Sequence, residues 1–534
     1  MGVHLEAEGE RFLPDVDHLN GVTTPGPFGS EIAHEAVAAL VLPFAVEDTA
    51  VDRMRRHVDA QVMRSTIVGE HPVAHSSSEW GHRVATPRHW IILGRFGVKE
   101  FVAVDGERRD PAAAREVDVD DGPRRGEGDD PRGHAQTVPA ASVAGQSGAY
   151  SPAMRAIFDD THEAFREAVA SFISKEMVPH YADWEAAGIA PREIFALAGA
   201  NGFLGFQIPE EFGGGGSDDF RFNQIFAEEL AMAGIGGAGL GITLHNDVTA
   251  PYYLELCDDE QRRRWLPLIA SGEAITAIAM TEPGTGSDLA GVATTAVLDG
   301  DVYVLNGSKT FITNGINSDL VIVVAKTDPE ARHSGMTLLV VERGMEGFER
   351  GRNLDKIGMH SQDTAELFFN DVRVPVANRL GDEGEGFRYL SSNLAQERLS
   401  LAISGVASAR ASLEWTVEYV RERTAFGKPI AEFQNTKFVL SEVATAVDVA
   451  QAFVDQCVLA LNAGRLSAAD AAKAKYWCTD LQKTAADRCL QLFGGYGYMT
   501  EYPIARNYAD ARVTSIYGGT NEIMKTIISK SLGI

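Results

Sequence analysis

The stretch Leu320-Val-Ile-Val-Val-Ala325, followed after a turn-rich interval by Met336-Thr-Leu-Leu-Val-Val341, decides the fold. Short runs of β-branched and aliphatic residues bounded by Gly, Asp and Ser read as strands. Around them the period is also two. Val302-Tyr-Val-Leu305 and Leu367-Phe-Phe369 read as further strands, and Asp299-Gly300 and Asn306-Gly307 are dipeptides that favour tight hairpin turns. Residues 273–385 are therefore expected to form one block of short strands, a small barrel or a sandwich.

Outward from this block the period changes to that of helices on both sides. From Met154 to about Ser271 it is helical, interrupted by Pro209-Glu-Glu-Phe-Gly-Gly-Gly-Gly216, a loop that lacks the Lys-Ser/Thr of a nucleotide P-loop. From Phe387 onward helical segments return, divided near 426–430, 462–466 and 493–502. Four long helices with short connections suggest an antiparallel bundle. The predicted class is α+β by segregation, in blocks 154–272, 273–385 and 386–534. With no βαβ alternation and no Gly-x-Gly-x-x-Gly after a strand, a Rossmann domain is disfavoured.

Residues 1–153 have a different texture. Asp105 to Ala144 is dense in Asp, Arg, Gly, Pro and Ala without apolar period and is expected to be disordered; Trp90 to Phe101 is apolar but shows no sustained pattern. Amphipathic periodicity begins abruptly after Met154, in Ile157, Phe165, Val169, Phe172 and Ile173. That onset favours Met154 as the true start, with 1–153 a mis-read extension, over a genuine but poorly ordered one.

The 534 residues carry a formal net charge of −27, which repels phosphate backbones and anionic lipid and argues against a nucleic-acid partner. No run approaches the roughly 20 apolar residues of a membrane span. The cysteines, Cys257, Cys457, Cys478 and Cys489, form no C-x-x-C pair, and the histidines lack metal-like spacing. No metal site is expected, and a reducing compartment, the cytoplasm, fits best.

The most informative single residue is Glu397. Leu390, Leu394, Glu397 and Leu401 share one helix face, continued by the small Gly405 and Ser408. A carboxylate in an apolar stripe is either an abstracting base with raised pKa or half of an ion pair with Arg398 or another arginine. A second feature is Ile278-Ala-Met-Thr-Glu-Pro-Gly-Thr-Gly-Ser287, a strand end opening into a glycine- and hydroxyl-rich turn. Its amides and small residues suit the edge and pyrophosphate of a flavin.

Five segments together resemble the acyl-CoA dehydrogenase family: Thr281-Glu-Pro-Gly-Thr-Gly-Ser-Asp288, Asn306-Gly-Ser-Lys-Thr-Phe-Ile-Thr-Asn-Gly315, Arg423-Thr-Ala-Phe-Gly-Lys428, Gln491-Leu-Phe-Gly-Gly-Tyr-Gly497 and Ile516-Tyr-Gly-Gly-Thr-Asn-Glu522. They stand in the family's order and spacing over nearly all of 154–534. The resemblance implies a helical domain, a β-barrel domain and a four-helix bundle, an FAD cofactor, an acyl-CoA substrate, an electron-transferring flavoprotein as acceptor, and a homotetramer or homodimer. Carried over by motif, Ile278, Ala279, Met280 and Thr281 with Phe311, Ile312 and Thr313 hold the isoalloxazine ring. Ser287 touches the pyrophosphate and the thioester. Arg423, Phe426, Gln434 and Gln491, Leu492, Phe493, Gly494 and Gly495 bind the adenine end, partly from a neighbouring subunit. Thr520, Asn521 and Glu522 close over the flavin.

The chain departs from many relatives at Gly518, where they carry the catalytic glutamate. The long-chain and isovaleryl branch, which it resembles, has glycine there and places the base in a segment like Gln396-Glu-Arg-Leu399. The resemblance thus assigns the base to Glu397, a carbonyl-polarising N–H to Gly518, and substrate contacts to Ser287, Arg398, Gly518 and Gly519. Arg388 stands where relatives often have an aromatic or small residue, so the pocket is expected to differ locally. The competing readings are a flavin oxidase or monooxygenase on the same fold and a nucleic-acid-binding relative. Acyl chain length is not legible.

Overall fold

The computed structural model describes residues 155–534, together with the backbone of two strands, β1 (His89–Gly94) and β2 (Gly97–Val102). These two pair antiparallel across the apolar patch in which the sequence showed no sustained pattern. The remaining expectations for 1–153, disorder over Asp105 to Ala144 among them, lie outside the described residues.

The first helical block holds α1 (Asp160–Phe172), α2 (Tyr181–Ala187), α3 (Glu193–Ala200), α4 (Arg221–Met232), α5 (Gly236–Thr243), α6 (Ala250–Leu256) and α7 (Asp259–Ser271). Two π-helical turns, Ile173–Met177 and Leu244–Thr249, interrupt the regular winding. Asp258 starts α7 by accepting from the amides of Glu260 and Gln261, while Gln261 reaches back to the Asp258 amide. One apolar cluster, including Phe172, Phe203, Phe226 and Ile242, closes this block.

The middle block is an eight-stranded sheet: β3 (Thr276–Ala279), β4 (Thr295–Asp299), β5 (Val302–Thr313), β6 (Leu320–Lys326), β7 (Met336–Glu342), β8 (Phe348–Asn353), β9 (Thr364–Pro375) and β10 (Arg379–Leu380). The hydrogen-bonded path runs β10-β7-β6-β4-β5-β9-β8, with β3 lying parallel on β6. All strands except β10 give side chains to one inner cluster, among them Leu305, Val323, Leu339, Leu367 and Val374. The opposite faces of β6 and β7 are also covered: Ile322, Val324, Leu338 and Val340 pack on Tyr252, Trp265 and Ile269 of the helical block. Burial on both faces is why these two strands are continuously apolar rather than alternating.

Asp299-Gly300 forms the predicted hairpin turn between β4 and β5, with Gly300 at φ 66. Asn306-Gly307 does not turn. It lies inside β5, where the register to β9 slips between Leu305 and Gly307. Asn306 exchanges hydrogen bonds with Asp371 across the strands, and a Cβ on Gly307 would meet Thr294 Oγ1 at 2.4 Å. The glycine serves close approach at a bulge, a role with the same local composition as a turn.

The last block has three long helices, α8 (Gly386–Glu422), α9 (Gln434–Asn462) and α10 (Ala468–Phe493). The fourth expected helix is divided into α11 (Pro503–Asp510), a short 3-10 turn and α12 (Asn521–Ser531). Between α8 and α9 a small hairpin is built from β11 (Thr424–Ala425) and β12 (Lys428–Pro429). Contrary to the expectation that no run approaches a membrane span, helix α9 is long and apolar enough to cross one, but Val443, Val447, Val454 and Val458 commit one face to the bundle core. At Gly405 α8 and α10 pack closely, since a Cβ there would lie 3.1 Å from Cys478 O. The group admitted at Gly405 is therefore a neighbouring helix.

Candidate active site

Glu397 lies near the start of α8 and is 5% exposed. Tyr252 of α6, itself 0% exposed, donates from its hydroxyl to Glu397 Oε1 at 2.8 Å. Burial raises the carboxyl to about 7; the Tyr252 hydrogen bond and the positive charge of Arg398 offset part of that rise. Such a group is half-ionised at neutral pH, the range a general base needs. No ion pair with Arg398 forms: the arginine is also buried, its Nε has no hydrogen-bond partner, and burial lowers its own pKa. The structural ion-pair reading of Glu397 therefore fails.

Gly518 belongs to the turn before α12, at φ 60. A Cβ built there would lie 2.2 Å from Leu401 Cδ1, one helical turn beyond Glu397. The 516–522 turn thus packs directly on the helix that carries the carboxylate, and Leu401 fills the space a side chain at 518 would need. The turn is held from behind by Lys475 of α10, 0% exposed, whose Nζ donates to Gly519 O (2.7 Å) and to Asn521 Oδ1 (3.1 Å). Thr479 shares Asn521, and Thr520 caps α12 by accepting from the Ile523 amide. Desolvation brings the Lys475 ammonium down to about 8. Asn521 is occupied by these internal bonds, while Thr520 is half-buried and Glu522 exposed.

The two strand-end segments assigned to the flavin ring lie side by side. The Thr310 amide donates to Thr281 O at 2.9 Å, and Asn314 ties Thr276 O to Gly241 O on α5. Lys309, 0% exposed, donates to Met280 O (3.1 Å) and pairs with Glu282 (2.8 Å), whose carboxylate in turn accepts from the amides of Ala293 and Thr294. Desolvation lowers the Lys309 ammonium to about 8, and the neighbouring Lys309 charge holds Glu282 below its ordinary value despite burial. This clip fixes the 281–287 turn. Met280, Thr281 and Thr313 remain half-buried, Ser287 is exposed, and Ile278, Ala279 and Ile312 face the core. Phe311 sits at a register shift of β5 with φ 60, thrust out to 68% exposure. Positive φ at a bulky residue is costly and is tolerated where a bulge re-aims a side chain. Ile278 and Met280 share an apolar cluster with Tyr252, Tyr389 and Leu390, which links the strand ends to the Glu397 helix.

The residues assigned to the adenine end are not brought to this place. A rise of about 1.5 Å per residue puts Tyr419 roughly 33 Å along α8 from Glu397, and Arg423 roughly 39 Å. Phe493, at the end of α10, stacks on Tyr419 at 4.1 Å and is itself core. Arg423, Phe426, Gln434, Gln491, Gly494 and Gly495 are exposed at that far end and Leu492 is half-buried; Phe426 is 92% exposed at φ 54. Arg388 is also away from the site, on the surface in an ion pair with Glu385, so it does not shape a pocket beside Glu397. A cavity of about 310 Å³ lies between α1, α4 and α8, lined by Arg155, Arg166, Glu228, Glu229, Arg410 and Glu414, charges that largely pair among themselves. Among the described residues no group of three or more His, Cys, Asp or Glu is placed to hold a metal.

Tyr252, Lys309, Glu282 and Lys475 were not singled out from sequence as site residues. Glu282 and Lys309 do lie within motifs quoted for the resemblance, but a lysine in a strand gives no sign that it is buried.

A helical block, a β block and a bundle together frame a buried carboxylate on α8, the Gly518 turn packed on the same helix and the clipped 281–287 turn at the strand ends. The chain matches the family profiles "Acyl-CoA dehydrogenase, N-terminal domain" over residues 159–273, "middle domain" over 277–372 and "C-terminal domain" over 384–533. The chain belongs to the acyl-CoA dehydrogenase family. It is 49% identical over 381 residues to the long-chain specific acyl-CoA dehydrogenase, mitochondrial, of Sus scrofa, covering 71% of this chain and 88% of that protein. A crystal structure of acyl-CoA dehydrogenase from Geobacillus kaustophilus is similar at TM-score 0.69 and 50% identity, over 71% of this chain and 99% of that one. A glutaryl-CoA dehydrogenase from Mycobacterium smegmatis, solved in complex with FADH2, is similar at TM-score 0.66 and 26% identity, over 70% of this chain and 95% of that one.

Proposed function

We propose that this protein catalyses FAD-dependent α,β-dehydrogenation of a fatty acyl-CoA thioester, with Glu397 as the base that takes the α-proton. The observation that carries this reading is the contact between the Gly518 turn and Leu401. It brings the turn where other branches carry their glutamate onto the helix of the buried carboxyl, one turn beyond it, and a side chain at 518 would have to displace Leu401.

FAD, when bound against 278–281 and 311–313, supplies the acceptor for the β-hydride. The half-buried Met280, Thr281 and Thr313, the outward Phe311 and the clipped 281–287 turn form a cradle compatible with its ring and pyrophosphate. Gly518 offers a backbone N–H to the thioester carbonyl, since an α-C–H is too weak an acid for a carboxylate unless that oxygen is polarised. Lys475 keeps this N–H in place by anchoring the next carbonyl. Arg398 puts a cation near the carboxylate, and Lys475 a second one near Arg398, in a chain of strongly negative net charge, an arrangement suited to an anionic thioester. Desolvation around Glu397 narrows the acidity gap between base and substrate.

The distance along α8 supports an oligomer, a homotetramer or homodimer, in which the adenine end lies on another subunit's Arg423, Phe426 and Gln491–Gly495. Exposed Phe438, Val449 and Trp477 on the bundle offer apolar surface for such contacts. An electron-transferring flavoprotein is the proposed acceptor, and the cytoplasm the proposed location, in keeping with four buried, unpaired cysteines. Glu397→Gln tests the reading. The purified variant retains its yellow flavin and loses about 10³-fold or more in kcat with an artificial acceptor; retained activity overturns the assignment. A flavin oxidase would instead release stoichiometric hydrogen peroxide.

A further inference from the structure

Tyr252 donates to Glu397 Oε1, yet proton abstraction by a carboxylate does not of itself require a tyrosine. Its setting shows what the contact does. The chain from the π-helical turn Leu244–Thr249 into α6 grips the start of α8 at three successive points. Gln396 Nε2 donates to Asp247 O (2.8 Å), Tyr252 holds Glu397, and Ser400 Oγ donates to the Asp247 carboxylate. Asn223 secures Asp247 from α4 at 2.7 Å. Both residues of the Tyr252–Glu397 pair are buried, so the carboxylate does not swing to exchange one oxygen for the other without breaking a charge-assisted hydrogen bond in a dry site.

We propose that Tyr252 is the positioning residue of the base: by occupying Oε1 it selects Oε2 as the atom that receives the α-proton. In that step the substrate C–H bond breaks, an O–H bond forms at Oε2, and the C–H electron pair stays with the substrate. Tyr252 keeps its own proton throughout. Burial and the adjacent Glu397 charge push its acidity well below that of a free phenol, so it donates in both protonation states of the glutamate and relays nothing. The inference rests on Glu397 being the base.

The groups around the pair are Asp247 on the π-helical turn, Glu255 on α6, Arg398 on α8 and, close to Arg398, Lys475 on α10. Of the carboxyls, Asp247 is raised by burial to about 6 and could also appear in a pH profile. The discriminating experiment is the pH dependence of kcat/KM for the holoenzyme and its Tyr252→Phe variant, which keeps the ring. Without the donor hydroxyl, the acid limb moves up by about one pH unit. kcat on the alkaline plateau falls roughly tenfold with KM unchanged, because the carboxylate loses its fixed orientation. The infrared C=O band of the protonated carboxyl, identified by its disappearance in Glu397→Gln, titrates upward by the same shift. Replacing Tyr252 by a fluorinated tyrosine, a stronger donor of nearly the same size, moves the limb down. An acid limb that stays at its wild-type position in both variants overturns the proposal and points to Asp247 as the titrating group. Activity surviving in Glu397→Gln would instead remove the base itself, a distinct failure.

Discussion

If burial raises Glu397 to about 7 from its ordinary value of 4.5, the residue that performs the chemistry also weakens the fold. The folded protein binds a proton here that the unfolded chain has already lost, so the stabilising contribution is complete below pH 4.5. It is lost progressively as pH rises to 7, and the loss is constant above that. The difference of about 2.5 units corresponds to roughly 3.4 kcal/mol. Glu397→Gln removes the titration but places an amide NH2 where no acceptor waits, at a cost of about 1 kcal/mol. Above pH 7 the variant is therefore expected to be more stable than wild type by about 2 kcal/mol, and near pH 4.5 equal or slightly less stable. Urea denaturation of the two holoproteins at pH 5 and pH 8, followed by far-UV circular dichroism and flavin fluorescence, measures this. A stability difference that does not change with pH would refute the reasoning, since the effect exists only through linkage to that proton.

Gly518→Ala places an L-residue in left-handed backbone, costing about 1–2 kcal/mol, and pushes Leu401 aside. Thermal melting is expected to shift only modestly, while kcat/KM falls tenfold or more in steady-state assays. Lys475→Met leaves Gly519 O without its donor, a loss of about 1–3 kcal/mol, and loosens the 518–521 turn; fluorescence titration with FAD should show weakened retention. Mixing Glu397→Gln with Arg423→Glu subunits by co-unfolding and reassembly is expected to restore up to about a quarter of wild-type activity, because one site in four draws both intact parts from different chains. Failure to recover any activity from verified mixed oligomers would place both groups of residues on the same subunit.

The run from Leu320 to Ala325 was legible as a strand because both its faces are buried, and a continuous apolar run records that directly. The Leu390–Leu401 stripe was legible for the matching reason, since one helix face looks inward around Glu397. Asn306-Gly307 misled because a bulge and a turn draw on the same residues. The fourth bundle helix is broken where Gly518 and Gly519 take positive φ to turn the chain past Leu401, a requirement set by a residue more than a hundred positions away. Tyr252, Lys309 and Lys475 were hidden because their importance comes wholly from partners that tertiary packing supplies. The separation of the adenine group from the base was in principle readable, since α8 runs unbroken from Gly386 to Glu422, but only once its continuity was known.

The π-helical turn at Leu244–Thr249 bears on which length changes the chain tolerates. Each residue removed from or added to a helical segment rotates everything after it by about 100°. A π-turn holds one residue more than the α-turn it replaces, so a deletion within 244–249 can restore regular winding and leave Tyr252 in register. A one-residue insertion between this turn and Tyr252 has no such outlet and would swing the hydroxyl away from Glu397, even with every side chain retained. A chain lengthened there would have given up this contact before any catalytic residue is lost.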